Sequence, residues 1–366
     1  MAEDERPLRN SNPIRLSWPE WAVALAVVTA LLWLLPAALP MAGERLSRAD
    51  YRLPSELSGD YWMFEKWSQY SRTAYRAAVL GDSVVWGQYA RSDDTLSHHL
   101  NALAGGRVFA NLGVDGLHPA AMAGMVRYCG EALRGEPVLL HLNPLWMASP
   151  EQDLSGRREA RFNHPKLVPQ LVGRPSAYRP SAPEALGAAL ERTVPFWAWK
   201  EHVKIALYQG MAPQEWSLDN PYRLLPERGP DAFSGDEPGS PPETWEERGI
   251  APQDLPWVEA AKSYQWRSFT RTVELLRSRG SRVFVLVGPF NTHALTPASQ
   301  ARYGALAAKM AQWLEQQSIP YYAPPALPTE LYADASHPLG PGYRRLAEEL
   351  LASPAFQKWR IGWSRK

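Results

Sequence analysis

Ala77-Ala78-Val79-Leu80-Gly81-Asp82-Ser83-Val84-Val85-Trp86-Gly87 is the stretch that decides the fold. Four apolar residues running into a glycine read as a buried strand that breaks into a turn and a helix. Ser83 then stands at the carboxyl end of a strand, where open α/β sheets hold their ligands. The string is not the nucleophile elbow of α/β-hydrolases. That elbow, G-x-S-x-G, needs glycine two positions beyond the serine, and Val85 stands there.

Outward from this strand the same alternation recurs. Thr95 to Leu103 reads as a helix, Arg107 to Val114 as a second strand, Pro119 to Leu133 as a helix and Pro137 to Leu142 as a third buried strand. The pattern resumes at Trp257, where Trp266, Phe269, Val273 and Leu276 share a helical face that Gly280 stops. Arg282 to Val287 is the fourth strand, Pro297 to Gln317 a helix and Tyr321 to Ala323 the fifth strand. Pro341 opens a last helix with Tyr343, Leu346, Leu350 and Leu351 inward. Strands alternating with helices imply a parallel sheet with right-handed crossovers. The expected class is α/β, a flavodoxin-like three-layer α/β/α arrangement with five parallel strands.

Near the C-terminus, Asp334-Ala335-Ser336-His337 sets an acid and a histidine three residues apart. One local turn can aim Asp334 at one ring nitrogen of His337 and leave the other free. A serine hydroxyl titrates far above neutral pH and needs such a base. Ser83, His337 and Asp334 are therefore the candidate nucleophile, base and orienting acid. Asp82 reads as a turn acceptor, because Asp beside glycine bonds its neighbouring backbone. His98 and His99 fall in a polar helical stretch and read as solvated or satisfied in the core. His118 and His141 lie close in sequence to strand ends and are placed to line a pocket; Asn291 and His293, beyond the fourth strand, are placed to touch substrate. The eight histidines show no H-E-x-x-H or Cys/His ligand spacing, so no metal or other cofactor is expected.

On these strings the chain resembles the SGNH (GDSL-type) hydrolase superfamily, whose motif blocks supply serine, glycine, asparagine and histidine in that order. Gly81-Asp82-Ser83 matches the first block and Asp334 to His337 the last. For the second, Val108-Phe109-Ala110-Asn111-Leu112-Gly113-Val114-Asp115-Gly116 has the right form, with Gly116 the better match and Gly113 the runner-up. The third block departs from the usual G-x-N-D: in Val138-Leu139-Leu140-His141-Leu142-Asn143-Pro144 only Asn143 remains. The resemblance covers roughly residues 76 to 146 and 257 to 352. It implies an oxyanion hole made by the amides of Ser83 and Gly116 and by the Asn143 side chain.

Lys and Arg number 39 against 38 for Asp and Glu, and this balance of +1 offers no global field for nucleic acid. A 366-residue chain with 45% hydrophobic residues can bury a sizeable core. Trp21 to Met41 holds no charged residue over 21 positions, enough at about 1.5 Å per residue to cross a hydrocarbon layer of about 30 Å. An uncleaved anchor is expected rather than a signal peptide: the apolar run is long, and the small-residue cleavage pattern near Ala37 and Ala42 is poor. Trp18 and Trp21 suit one interface, and Pro36 and Pro40 fall where the helix can end. Arg6, Arg9 and Arg15 precede the segment while Arg45, Arg48 and Arg52 follow it, so the charge bias is nearly flat. The favoured orientation has the N-terminus in the cytoplasm and the remainder outside. The single cysteine, Cys129, rules out an intrachain disulfide and fits either side.

The chain therefore divides into a tail (1–17), an anchor (18–41), a linker (42–75), a main domain (76–352) and a C-terminal tail (353–366). The linker gathers Tyr61, Trp62, Phe64, Trp67 and Tyr70, a collar that either packs on the core or rests near lipid headgroups. An insertion at 147–256 holds sixteen of the 34 prolines. It contains a helix from Glu184 to Tyr208 carrying Phe196, Trp197 and Trp199, and a Gly/Pro/Ser-rich loop from Asp231 to Pro242. The 16 tryptophans suit core and interface, or stacking against sugar rings or acyl chains.

Three expectations of function follow. The first is a membrane-anchored serine esterase on acyl esters of a cell-envelope glycan or lipid. In the second, an O-acyltransferase, a sugar hydroxyl intercepts the acyl-serine instead of water. One anchor before such a domain is similar to the arrangement in bacterial lipoteichoic acid D-alanylation protein D and polysaccharide O-acetylation proteins, which implies a multipass membrane acyltransferase as partner and the bacterial cytoplasmic membrane as location. The third is a non-catalytic scaffold subunit.

Overall fold

The computed structural model describes residues 16–38, 52, 58–208, 210–223 and 242–363. Five strands, β1 (Ala77–Gly81), β2 (Phe109–Gly113), β3 (Pro137–Leu142), β4 (Arg282–Val287) and β5 (Tyr321–Tyr322), form one sheet in the order β2-β1-β3-β4-β5. All four pairings are parallel, with Gly81 opposite Gly113 and Leu80 opposite Leu140. Strand order reverses between β1 and β3, which opens a crevice beyond their carboxyl ends.

The described helices, in chain order, are α1 (Trp18–Ala38), α2 (Tyr61–Ala74), α3 (Ser83–Trp86), α4 (Leu96–Ala104), α5 (Pro119–Cys129), α6 (Ala182–Thr193), α7 (Pro195–Tyr208), α8 (Pro213–Asp219), α9 (Tyr264–Ser278), α10 (Pro297–Gln316), α11 (Gly340–Ala352) and α12 (Pro354–Ile361). Side chains alternate across a strand, so the continuous apolar runs feed two cores. Leu80, Leu140 and Val285 pack with Trp67 of α2, Met125 of α5, Phe269 of α9 and Met310 of α10. Their neighbours Val79, Leu139 and Leu286 pack with Leu100 of α4, Leu346 of α11 and Phe356 of α12. The result is a three-layer α/β/α body.

Strand and helix positions follow the sequence reading closely, and three differences have local causes. The linker's aromatic cluster is α2, capped by Asp60, with Trp62, Met63, Phe64 and Trp67 buried. The collar therefore packs on the core, and Trp67 Nε1 donates to the Asn111 carbonyl on β2 at 2.7 Å. The expected helix from Glu184 to Tyr208 is two helices, because Pro195 lacks an N–H and serves as the first residue of a new one. The segment from 353 is no tail: α12 buries Phe356 and Trp359 against Phe284 of β4.

Among the described residues one helix, α1, is long and apolar enough to cross a membrane: 21 residues whose aliphatic side chains, such as Val23 and Leu25, are mostly exposed. Pro36 lies in its last turn and Pro40 lies outside the described residues. So does most of the expected loop from Asp231 to Pro242.

Candidate active site

Gly81 closes β1 where the chain turns sharply. A side chain there would run into Val85 and His141, so glycine alone lets the strand end meet α3. Asp82 caps α3, its Oδ1 accepting from the Val84 amide at 3.1 Å. Ser83 opens that helix at the carboxyl edge of the sheet and is 6% exposed.

The two strings, separated by 254 positions, meet here. Ser83 Oγ lies 2.8 Å from His337 Nε2. His337 Nδ1 lies 2.8 Å from both Asp334 oxygens. Asp334 Oδ1 also accepts from the amides of Ser336 and His337, at 2.9 and 3.0 Å. Burial raises the Asp334 carboxyl, but the bond to His337, its charge and the two amides outweigh that and hold it below the ordinary carboxylate range. An ionised Asp334 fixes the His337 proton on Nδ1 and leaves Nε2 to accept from Ser83.

The loop carrying these two groups is clamped from several sides. Ala333 N donates to the His337 carbonyl, and Asn291 donates to Ala335 O through its backbone and to Asp334 O through Nδ2. Arg248, from the insertion, donates to Ala333 O at 3.0 Å. Its guanidinium also lies 5.0 Å from the ring centre of Tyr89, which stands edge-on to His337 at 5.6 Å. Trp245 adds bonds to Thr329 and Tyr332. The insertion thus covers the loop that carries His337.

Gly113 and Gly116 have separate jobs. At Gly113 a side chain would collide with the backbone of Val85 and Trp86, so that glycine lets β2 press against α3. Gly116 adopts the left-handed φ of +66°, and a Cβ there would run into the Asn163 amide. Of the two, Gly116 is the turn residue beyond the strand.

Asn143 follows β3 and is committed on both sides. Its Oδ1 accepts from Leu145 N at 3.0 Å, and its Nδ2 donates to Asp82 Oδ2 at 2.9 Å. One Nδ2 hydrogen remains for a ligand. Trp146 Nε1 donates to the same Asp82 oxygen at 2.8 Å. His141 donates through Nε2 to Gly288 O at 3.0 Å, and its Nδ1 comes within 3.2 Å of Asp82 Oδ1, close enough for charge pairing though poorly aligned for a hydrogen bond. Burial raises Asp82, yet His141, the charge of His337 and the Trp146 bond prevail and hold its carboxyl down to about 2. Asp82 is thus more than the turn acceptor expected from sequence: it ties the Ser83 turn to the β3 loop.

Of the four residues expected to line the pocket or touch substrate, His118 is buried with both ring nitrogens engaged, Nε2 on Asn163 O at 3.0 Å and Nδ1 on Gln265. It braces the insertion, and burial depresses its pKa to about 4. Asn291 is fully buried and holds the Asp334 loop instead. His293 is turned to the Leu327 carbonyl at 3.1 Å. His141 lies under Asp82 rather than in a pocket wall. Sequence reasoning missed Tyr89, Trp146, Asn163 and Arg248, none of which belongs to a local motif. Among the described residues no cluster of His, Cys, Asp and Glu could hold a metal ion.

No protein-family model matches the chain, and no curated protein matches it.

Proposed function

We propose that the protein is a membrane-anchored serine acyl hydrolase of SGNH type, cleaving acyl esters of a cell-envelope glycan or lipid through an acyl-Ser83 intermediate. The observation that carries this reading is the continuous relay from Ser83 Oγ to His337 Nε2 and from His337 Nδ1 to Asp334, each step 2.8 Å. Nucleophile, base and orienting acid at those distances are what ester cleavage requires. Ser83 Oγ attacks the ester carbonyl carbon as its proton passes to His337 Nε2, and the carbonyl electrons move onto oxygen. Amides of Ser83 and Gly116 and the remaining Asn143 hydrogen stabilise that oxyanion. Its collapse expels the alkoxide, which takes the proton from His337. Water, deprotonated by His337, then releases the acid and restores Ser83.

A second reading is acyl transfer to a sugar hydroxyl, in company with a multipass membrane acyltransferase. The near-complete burial of Ser83 and His337, 6% and 7% exposed, favours it by limiting water at the acyl-enzyme. In either reading α1 holds the protein in the bacterial cytoplasmic membrane with the catalytic domain outside the cell interior.

A fluorophosphonate probe tests the chemistry directly. The full chain in detergent is expected to acquire one adduct on Ser83 by mass spectrometry and to hydrolyse p-nitrophenyl acetate. Asp334→Asn should slow that hydrolysis by about a thousandfold or more, because the wrong histidine tautomer then faces serine. An unmodified Ser83 would exclude both readings and leave a scaffold. Added oligosaccharide that becomes acylated while hydrolysis falls would select transfer.

A further inference from the structure

We infer that Asn163, supplied by the insertion, contacts substrate: its side-chain amide donates to the acyl carbonyl oxygen alongside Gly116. The inference rests on the acyl-serine reading above and adds a residue to it.

Two observations carry it independently. The first is position: the space a side chain at Gly116 would fill is taken by Asn163 Nδ2. That places a side-chain amide next to the backbone amide assigned to the oxyanion. The second is that Asn163 is exposed and its side chain makes no hydrogen bond to any described residue, while the backbone around it is bolted down. The Asn163 carbonyl accepts from His118 Nε2 at 3.0 Å. Phe162 packs edge-on to His118 at 5.5 Å between ring centres. His164, held in the left-handed region at φ 56° although it is not glycine, donates through Nε2 to the Asp115 carbonyl at 2.7 Å. The Tyr61 hydroxyl donates to its Nδ1 at 3.2 Å. A strained backbone fixed on both sides, with one unspent amide between the fixings, is a device for presenting that amide. Asn143 also has half of its donor capacity tied to Asp82, so the oxyanion is short of a full side-chain amide without Asn163.

The alternative is that Asn163 only fills the space over Gly116. Asn163→Ala removes both donor and volume, whereas Asn163→Asp keeps the volume and puts a charge where the donor was. On the full-length protein in detergent, p-nitrophenyl acetate hydrolysis, the rate of fluorophosphonate labelling and the melting temperature are measured together. Both variants are expected to lose about tenfold or more in kcat, and to label more slowly by a similar factor, with KM and melting temperature little changed. Asn163→Asp retaining the wild-type rate, or both variants staying within about twofold of it, would overturn the inference while leaving the acyl-serine reading intact. If Asn163→Ala melts early, the isosteric Asn163→Asp decides. Wild-type protein that neither labels nor hydrolyses would defeat the underlying reading, and Asn163's role with it.

Discussion

Gly116 is constrained twice, by its left-handed backbone and by the Asn163 amide that occupies its missing side chain. Alanine there costs about 1–2 kcal/mol in backbone strain and displaces Asn163 as well. If the proposed acyl-serine chemistry holds, Gly116→Ala is therefore expected to lower p-nitrophenyl acetate turnover by at least tenfold, more than strain alone would do, with a modest fall in melting temperature. Unchanged turnover would remove Gly116 from the proposed oxyanion hole. His118 allows a second test. Its ring titrates near 4 in the fold against about 6.5 when unfolded. As pH falls through 6.5 the unfolded chain takes up a proton that the folded chain refuses until about 4. Stability should thus drop across that window by about 3 kcal/mol, and His118→Gln should flatten the drop. Equal pH slopes for both proteins in denaturant titrations would contradict this. These residues contrast with the hydrogen-bonded set of Ser83, His337 and Asp334 in what sequence could reveal. Asp334 and His337 are readable because three residues of one turn suffice to join them. Asn163 reaches Gly116, and Arg248 reaches Tyr89, only through tertiary folding, and no spacing rule encodes either.

Elements carry the same lesson in a different form. Strands β1, β3 and β4 were legible because a parallel strand covered on both faces must be continuously apolar. The cluster Trp62, Phe64 and Trp67 left open whether lipid or core would take it, since aromatic rings suit both. Its packing is settled by α2, whose Trp67 is fully buried and tied to the Asn111 carbonyl. Trp67→Ala is expected to destabilise the protein by about 3–5 kcal/mol in chemical unfolding, because it opens a cavity and strands a buried acceptor. A change below about 1 kcal/mol would mean that α2 is a peripheral strap. The C-terminal helix α12 was hidden for a related reason: eight residues carry too short a pattern to distinguish from a tail, and only contact with Phe109 and Phe284 gives Phe356 its place.

At the scale of the molecule, the direction of α2 relates α1 to the Ser83 site. Tyr75 and Arg76 lead from α2 straight into β1, and α2 packs over β1 and β2, so the helix runs antiparallel to the strands. Its first residue, Tyr61, therefore lies at the carboxyl edge of the sheet, one histidine away from the Asp115 carbonyl and Gly116. Trp33 and Pro36, in the last two turns of α1, line a cavity of about 330 Å3 together with Tyr61 and Trp62. Were α1 to sit in a bilayer, as proposed, the edge bearing Ser83 would face the membrane surface, and the opposite edge would stand farther off by the length of the strands, about 20 Å. Dyes on Asn163→Cys at the carboxyl edge and on Gln317→Cys at the amino edge can measure this in vesicles with a headgroup-labelled acceptor lipid. The native Cys129 thiol, which burial pushes up to about 12, competes poorly for a thiol-directed dye at neutral pH. Energy transfer is expected to be clearly higher from position 163 than from 317. The reverse order would turn the site away from the membrane, and in the proposed reaction the acyl groups would then have to reach Ser83 from soluble carriers instead of from the membrane surface.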